Sequence, residues 1–319
     1  MNQDISRDPI AFISQADHAL STLWIKELQL AMPEEKILAF SDMSAIEREQ
    51  CRVAIVANPD PAELSTLPRL EWIHSVWAGV ERLMADLGDT KLKIVRLVDP
   101  QLATTMAEAV LAWTLYLHRQ MPLYKQQQKL RLWKAQEYIT PAKKTVSILG
   151  LGALGEAAAK CLISAGFKLC GWSRNPKQIK NVQCFSGNDG LKEMLAQTNI
   201  LICLLPLTPE TRYLLDAEKI SMLPAGAELI NFARGAIIRD LDLRAALDST
   251  HLNHAVLDVF EVEPLPPNEW HWDHPRVTVL PHCSAPTNRN TASAIVAKNI
   301  ENYRLSGAIP AHVDTRRGY

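Results

Sequence analysis

Apolar positions in this chain gather in short unbroken runs, and the segments between the runs repeat at helical spacing. Residues 9–14, 36–40, 52–57, 70–76 and 92–98 are such runs, and 19–32, between the first two, is helix-like. Runs without alternation suit strands covered on both faces, and strands alternating with helices predict a parallel sheet between helix layers. The first hundred residues therefore read as one α/β lobe. Thr105-Met-Ala-Glu108 has capping-box spacing, and Met106, Val110, Trp113 and Leu117 follow at helical period, so a long helix is expected to start there. A second helical stretch, 123–136, embeds Leu130, Leu132 and Trp133 among Lys and Gln. Those apolar residues bury either within the chain or in a dimer contact.

Further along, the runs 146–149, 168–172, 200–205, 228–232, 255–260 and 277–280 read as strands. Helical segments are expected after 152, to about Gly166, and over 237–247. No internal repeat interrupts the pattern. A length of 319 residues is comfortable for two domains. Net charge is −1 with both signs mixed, which argues against nucleic acid or a membrane surface as partner. Six scattered cysteines without a CxxC pair read as reduced core residues of a cytoplasmic protein. No stretch is long and apolar enough to span a bilayer, and the opening MNQDISRDPIAF lacks the order of a signal peptide.

Between the first two of these strands stands Gly150-Leu-Gly152-Ala153-Leu154-Gly155. Gly150 permits the tight turn, Gly152 admits a pyrophosphate close to the backbone, and Gly155 lets helix pack on strand. Phosphates then meet the free N–H groups and positive dipole of the helix start. A lone GxGxxG is weak evidence, but here the required strand precedes it and the helix follows. The next strand ends in Ser173-Arg174, with Lys177 close behind, where an NAD-binding site would carry a carboxylate for the ribose hydroxyl. Guanidinium and ammonium suit a 2′-phosphate, so NADPH is expected in preference to NADH.

Other strand ends carry candidate chemistry. Ala78, Gly79 and Val80 follow a strand and offer backbone N–H groups to a substrate carboxylate, although alone they would read as a plain turn. Arg234, Glu263 with nearby Asp258, and His282 lie at three strand ends of the second half. Each has a bland reading taken singly. Together with a nicotinamide they make a complete reaction, because reducing a ketone needs a proton donor and a positive charge near the developing alkoxide. His282 fits the donor, Glu263 its carboxylate partner, and Arg234 the binder of an α-keto acid. No metal site is read.

The runs GLGALG, LPLTPETRYLL, LINFARGAIIRDLDLRAAL, AVLDVFEVEPLPP and VTVLPH occur in one order over nearly the whole chain. In this the sequence resembles the D-isomer-specific 2-hydroxyacid dehydrogenases. It is most similar to their glyoxylate/hydroxypyruvate reductase A type, including Ser173-Arg174 and the terminal VDTRRGY. The resemblance implies two doubly wound parallel-sheet domains, Rossmann-like and flavodoxin-like, with a cleft between them. The substrate domain would comprise 1–104 and 286–319, the dinucleotide-binding domain 105–285, and the assembly would be a homodimer. It implies Arg234, Glu263 and His282 as the catalytic set and Gly79 at the substrate carboxylate. Leu204, Pro206, Ala233, Asp258 and Ser284 would line the nicotinamide side, with Met106, Leu205, Thr211 and Phe232 also touching cofactor. His282-Cys-Ser-Ala departs from the usual small residues and glycine after the histidine. The expected activity is reduction of glyoxylate or hydroxypyruvate with NADPH. The alternatives are a D-lactate or D-3-phosphoglycerate type dehydrogenase and a non-catalytic dinucleotide-sensing protein.

Overall fold

A computed structural model describes residues 8–88 and 90–314. In chain order its regular elements begin with β1 (Ile10–Ser14), α1 (His18–Ala31), β2 (Ile37–Ala39), α2 (Ala45–Gln50) and β3 (Val53–Ala57). There follow α3 (Pro61–Ser65), β4 (Trp72–Ser75), α4 (Glu81–Leu87), β5 (Lys93–Val95), α5 (Pro100–His118) and α6 (Met121–Lys129). Next come β6 (Thr145–Leu149), α7 (Ala153–Ser164), β7 (Lys168–Trp172), β8 (Val182–Phe185), α8 (Gly187–Leu195) and β9 (Ile200–Cys203). The last are α9 (Ala217–Ser221), β10 (Ala227–Asn231), α10 (Asp240–Asp248), β11 (Leu252–Leu257), β12 (Val277–Val279) and α11 (Arg289–Ser306). The chain divides into two compact units, one running to Gln101 and resuming at Thr287, the other Leu102–Pro286.

The first unit holds a parallel five-stranded sheet in the order β2-β1-β3-β4-β5. Its strands are mostly apolar because both faces are covered, with Ser14, His74, Ser75 and Lys93 as the exceptions. Ile10 and Phe12 of β1 face a cluster with Trp24 and Leu28 of α1 and with Ala292, Val296 and Ile300 of α11. The intervening Ala11 and Ile13 face the opposite cluster with Leu64, Val80 and Leu83. Polar bonds fasten α11 to this sheet: Asn299 Nδ2 lies 2.9 Å from His74 Nε2, the Tyr303 hydroxyl donates to Glu71, and Arg304 pairs with Glu35 at 2.8 Å. His74 is fully buried with Nδ1 2.9 Å from the Ser75 carbonyl, and burial lowers its pKa to about 4.

The second unit holds a parallel seven-stranded sheet, β12-β11-β10-β9-β6-β7-β8. Val146 and Ile148 pack with Ile200 and Ile202 on one face, and Leu149 with Leu201 and Cys203 on the other. From β6 the chain first builds outward to β7 and β8, then returns to lay β9 on the other side of β6. That reversal makes the carboxyl end of β6 a topological switch point, where open α/β sheets take ligands.

The structure corrects several sequence expectations. The helix expected to start at Thr105 begins at Pro100, because Asp99 accepts from the Gln101 N–H at 2.8 Å and proline suits the first helical position. The stretch 123–136 is helical only to Lys129. Arg131 there is left-handed at φ 56°, and Leu132 N–H bonds Gln127 O while Arg131 N–H bonds Gln128 O, which closes the helix as a Schellman motif. Leu130, Leu132 and Trp133 are consequently exposed. The strand over 255–260 instead runs Leu252–Leu257, leaving Asp258 and Phe260 beyond its end. Of the cysteines, Cys51, Cys170 and Cys203 are buried, Cys161 and Cys184 half-buried, and Cys283 exposed. Residues 315–319 of the terminal VDTRRGY run lie outside the described residues. Among the described residues no helix is long and apolar enough to cross a membrane.

Candidate active site

The site in the second unit starts from the turn after β6. Gly150 has φ 105°, and a Cβ there would stand 2.8 Å from the Leu204 carbonyl oxygen, so neither backbone nor space admits another residue. At Gly155 a Cβ would meet the Gly150 carbonyl oxygen at 2.0 Å, so α7 comes down directly on the turn. Gly152 caps α7 without a side-chain hydrogen bond, and nothing lies within 4 Å of where its Cβ would be. This is an open, positively polarised helix start of the kind that receives a diphosphate.

Three strand ends deliver the charged residues, and backbone clamps hold them. Asp258, buried just past β11, accepts from Cys283 N at 2.7 Å and Ser284 N at 2.9 Å, while its carbonyl takes the N–H of His282 at 3.0 Å. The loop after β12 is thereby folded over one carboxylate, with His282 in the left-handed region at φ 52°. A Cβ at Gly235 would lie 2.0 Å from the Phe260 carbonyl carbon, so the loops after β10 and β11 touch backbone to backbone. Asn231 ties the first of these loops by accepting from Ala233 N and donating to the Arg234 carbonyl at 3.0 Å.

The outcome is a carboxylate–imidazole pair. Glu263 Oε2 lies 2.7 Å from His282 Nδ1, and its other oxygen accepts from Phe260 N at 2.8 Å. The Glu263 hydrogen bond raises the His282 pKa, against the opposing effects of burial and of the Arg234 charge. For Glu263, burial works to raise the pKa, but the His282 and Phe260 hydrogen bonds outweigh it and hold the carboxyl low. Arg234 acts electrostatically on both groups, and its guanidinium also donates to the Ala233 carbonyl at 2.6 Å. His282 is about half exposed, at 52%. The site is therefore an imidazole on a fixed carboxylate that favours its protonated form, open to a reactant, with a guanidinium beside it. Burial and the Asp258 carboxylate push the neighbouring Cys283 thiol up, which keeps it a poor nucleophile.

The remaining sequence candidates fall in several places. Met106, Leu204 and Phe232 join one core cluster, and Leu205 and Ala233 the other. Thr211 knots the loop after β9, donating to the Pro206 carbonyl and accepting from Thr208 N. Ser173 donates to the Asn175 carbonyl, and Arg174 is exposed. Lys177 donates to the Leu151 carbonyl of the glycine turn and pairs with Glu156 of α7 at 2.9 Å. Ser284 is buried, and its hydroxyl has no hydrogen-bond partner among the described residues. Ala78, Gly79 and Val80 belong to the other unit, after β4, where Val80 is buried and starts α4. Asn231, Gly235 and Phe260 were missed in the sequence reading. A polar Asn closing an otherwise apolar run was the one local signal.

The sequence profile of the D-isomer specific 2-hydroxyacid dehydrogenase NAD-binding domain matches residues 111–284, more than half of the chain and the whole of this site. The chain belongs to that family. Among curated 2-hydroxyacid dehydrogenase relatives, a Salmonella heidelberg protein named glyoxylate/hydroxypyruvate reductase A is 32% identical over 302 residues, 93% of this chain and 96% of its own. A family member from Xanthobacter autotrophicus, solved with NADPH and MES, superposes with a TM-score of 0.90 at 37% identity, covering 98% of this chain and 100% of that one. An NADPH-dependent glyoxylate/hydroxypyruvate reductase from Sinorhizobium meliloti, solved with NADP and sulfate, gives a TM-score of 0.90 at 31% identity, covering 98% and 100%.

Proposed function

We propose that this dehydrogenase reduces small 2-oxo acids with NADPH, taking glyoxylate to glycolate and hydroxypyruvate to D-glycerate. The observation that carries the reading is the 2.7 Å pair of His282 and Glu263 with the Arg234 charge beside it. The names of the Salmonella and Sinorhizobium relatives support the substrate class, and the NADPH and NADP in two similar structures support the cofactor.

The chain's own residues fit a dinucleotide. The uncapped start of α7, with its open space at Gly152, suits the diphosphate, and the unpartnered Ser284 hydroxyl in the donor loop suits a polar group of the nicotinamide. Arg174 would take the 2′-phosphate, with Lys177 able to join once it leaves Glu156. When bound, the reduced nicotinamide supplies hydride to the carbonyl carbon. Glu263 favours the protonated imidazole and turns Nδ1 to itself, so that Nε2 delivers the proton to the developing alkoxide. Arg234 binds the substrate carboxylate as a fork and stabilises negative charge on the oxygen. The reading also takes Ala78, Gly79 and Val80 as carboxylate binders, on their place directly after a parallel strand.

We read the assembly as a homodimer, since Leu130, Leu132, Trp133 and Tyr138 form an exposed apolar run beyond α6 that a lone chain rarely leaves in water. The compartment is read as cytoplasm, in keeping with six unpaired cysteines. The deciding experiment follows NADPH oxidation over a panel of 2-oxo acids with wild type and His282→Ala. Turnover of glyoxylate or hydroxypyruvate is expected, with kcat falling on the order of 10³-fold in the variant while NADPH affinity is kept. Binding of NADPH without turnover of any acid overturns the proposal.

A further inference from the structure

Glu263 owes its aim at His282 to one backbone group, the Phe260 N–H on Oε1. The Phe260 backbone abuts Gly235 on one side. Its ring rests edge-on against His271, with centroids 5.1 Å apart at 81°. His271 is buried, Nε2 lies 2.8 Å from Asp240 Oδ1, and Trp270 stacks on the imidazole at 4.0 Å while donating to the other Asp240 oxygen at 2.7 Å. Asp240 opens α10, so this pillar of side chains stands on a helix start. A cavity of about 20 Å³ is lined by His271, Asp240, Phe260, Gly235 and Asn231. Asn231, Gly235 and Phe260 in that lining hold the loops that carry Arg234 and Glu263.

An imidazole is a costly way to fill space there. His271 Nδ1 has no hydrogen-bond partner among the described residues, and a buried nitrogen left unsatisfied is destabilising. The cavity is large enough for one water, and an apolar residue would need none. The imidazole offers something else: its bond to Asp240 fixes the ring plane, and a fixed ring edge fixes Phe260.

We propose that His271 is a positioning residue for the proton donor, locked by Asp240 so that it sets Phe260 and, through the Phe260 N–H, the aim of Glu263 at His282. This rests on the reading of His282 as donor. The charges that face His282 are Glu263, Arg234 and Asp258. Those around His271 are Asp240, Glu269 with Oε2 3.9 Å from Nδ1, and, across Trp270, Arg244 and His274. A disturbed Glu263 leaves His282 less easily protonated, a change that loss of packing alone would not produce.

The test uses His271→Phe, which keeps bulk but loses the bond to Asp240, and His271→Gln, whose planar carboxamide keeps both a donor for Asp240 and a fixed edge toward Phe260. The readouts are the titration of His282 by NMR in the full chain and the pH profile of kcat/KM with glyoxylate. His271→Phe is expected to move the His282 midpoint to lower pH and to reduce kcat about tenfold with KM within about twofold, whereas His271→Gln stays near wild type. An unmoved midpoint in His271→Phe overturns the proposal, as does an equal shift in both variants. If the NMR shift appears while wild type reduces no 2-oxo acid, the positioning stands and the assigned reaction falls.

Discussion

The strand ends of the seven-stranded sheet hold their charges in two different ways. After β7, Arg174 is exposed and Lys177 meets Glu156 with both side chains about 40% exposed, a pair that is worth under about 1 kcal/mol and weakens in salt. After β10, β11 and β12 the charges are held by main chain: Asp258 grips two successive N–H groups, Asn231 bridges its own loop, and Gly235 lies against Phe260. The difference matches the tasks proposed for each end. Recognition of a phosphate tolerates long side chains that exchange partners, whereas proton transfer needs a donor placed within fractions of an ångström.

The strongest challenge to this contrast is Gly235→Ala. With backbone 2.0 Å from the new Cβ, the loops after β10 and β11 must part, and a stability loss on the order of 3 kcal/mol is expected in denaturant unfolding, with activity falling further. Glu263→Gln sharpens the contrast through pH. The folded His282 pKa is raised above its ordinary 6.5, so the protonated donor persists to higher pH than a free imidazole would and is lost as pH rises through that higher value. Removing the carboxylate brings the loss to lower pH, and kcat/KM on the alkaline side should fall by about 10-fold to 100-fold, read from parallel pH–rate profiles. Arg174→Ala has the smallest expected effect. The preference for NADPH over NADH should drop about tenfold, and less at high salt, when kcat/KM is compared for the two cofactors. An unchanged preference removes Arg174 from phosphate recognition.

Much of this was legible from local pattern. The glycine turn, its flanking strands and the strands leading to Arg234 and His282 are continuous in sequence, so runs and motifs revealed them. The clamps were not legible, because Asp258 reaches Cys283 and Ser284 beyond the end of the neighbouring strand, 25 and 26 residues on, and nothing in residues 255–260 announces such a partner. Nor was the end of α6, where an arginine takes the left-handed position that glycine usually marks. The edge strand β8 went unread since only Phe185 of its four residues is buried, and α8 opens on Gly187 and contains Gly190, both unhelpful to a helical pattern.

The order in which the two units close has a cost for synthesis. Residues 102–286 are continuous and hold their own sheet and both of its apolar faces, so that unit is ready to fold as soon as it has emerged. The five-stranded sheet emerges first, but its Ile10 and Phe12 face is covered only by α1, through Trp24 and Leu28, until α11 arrives with Ala292, Val296 and Ile300. A nascent chain thus carries a half-covered sheet face through most of its translation.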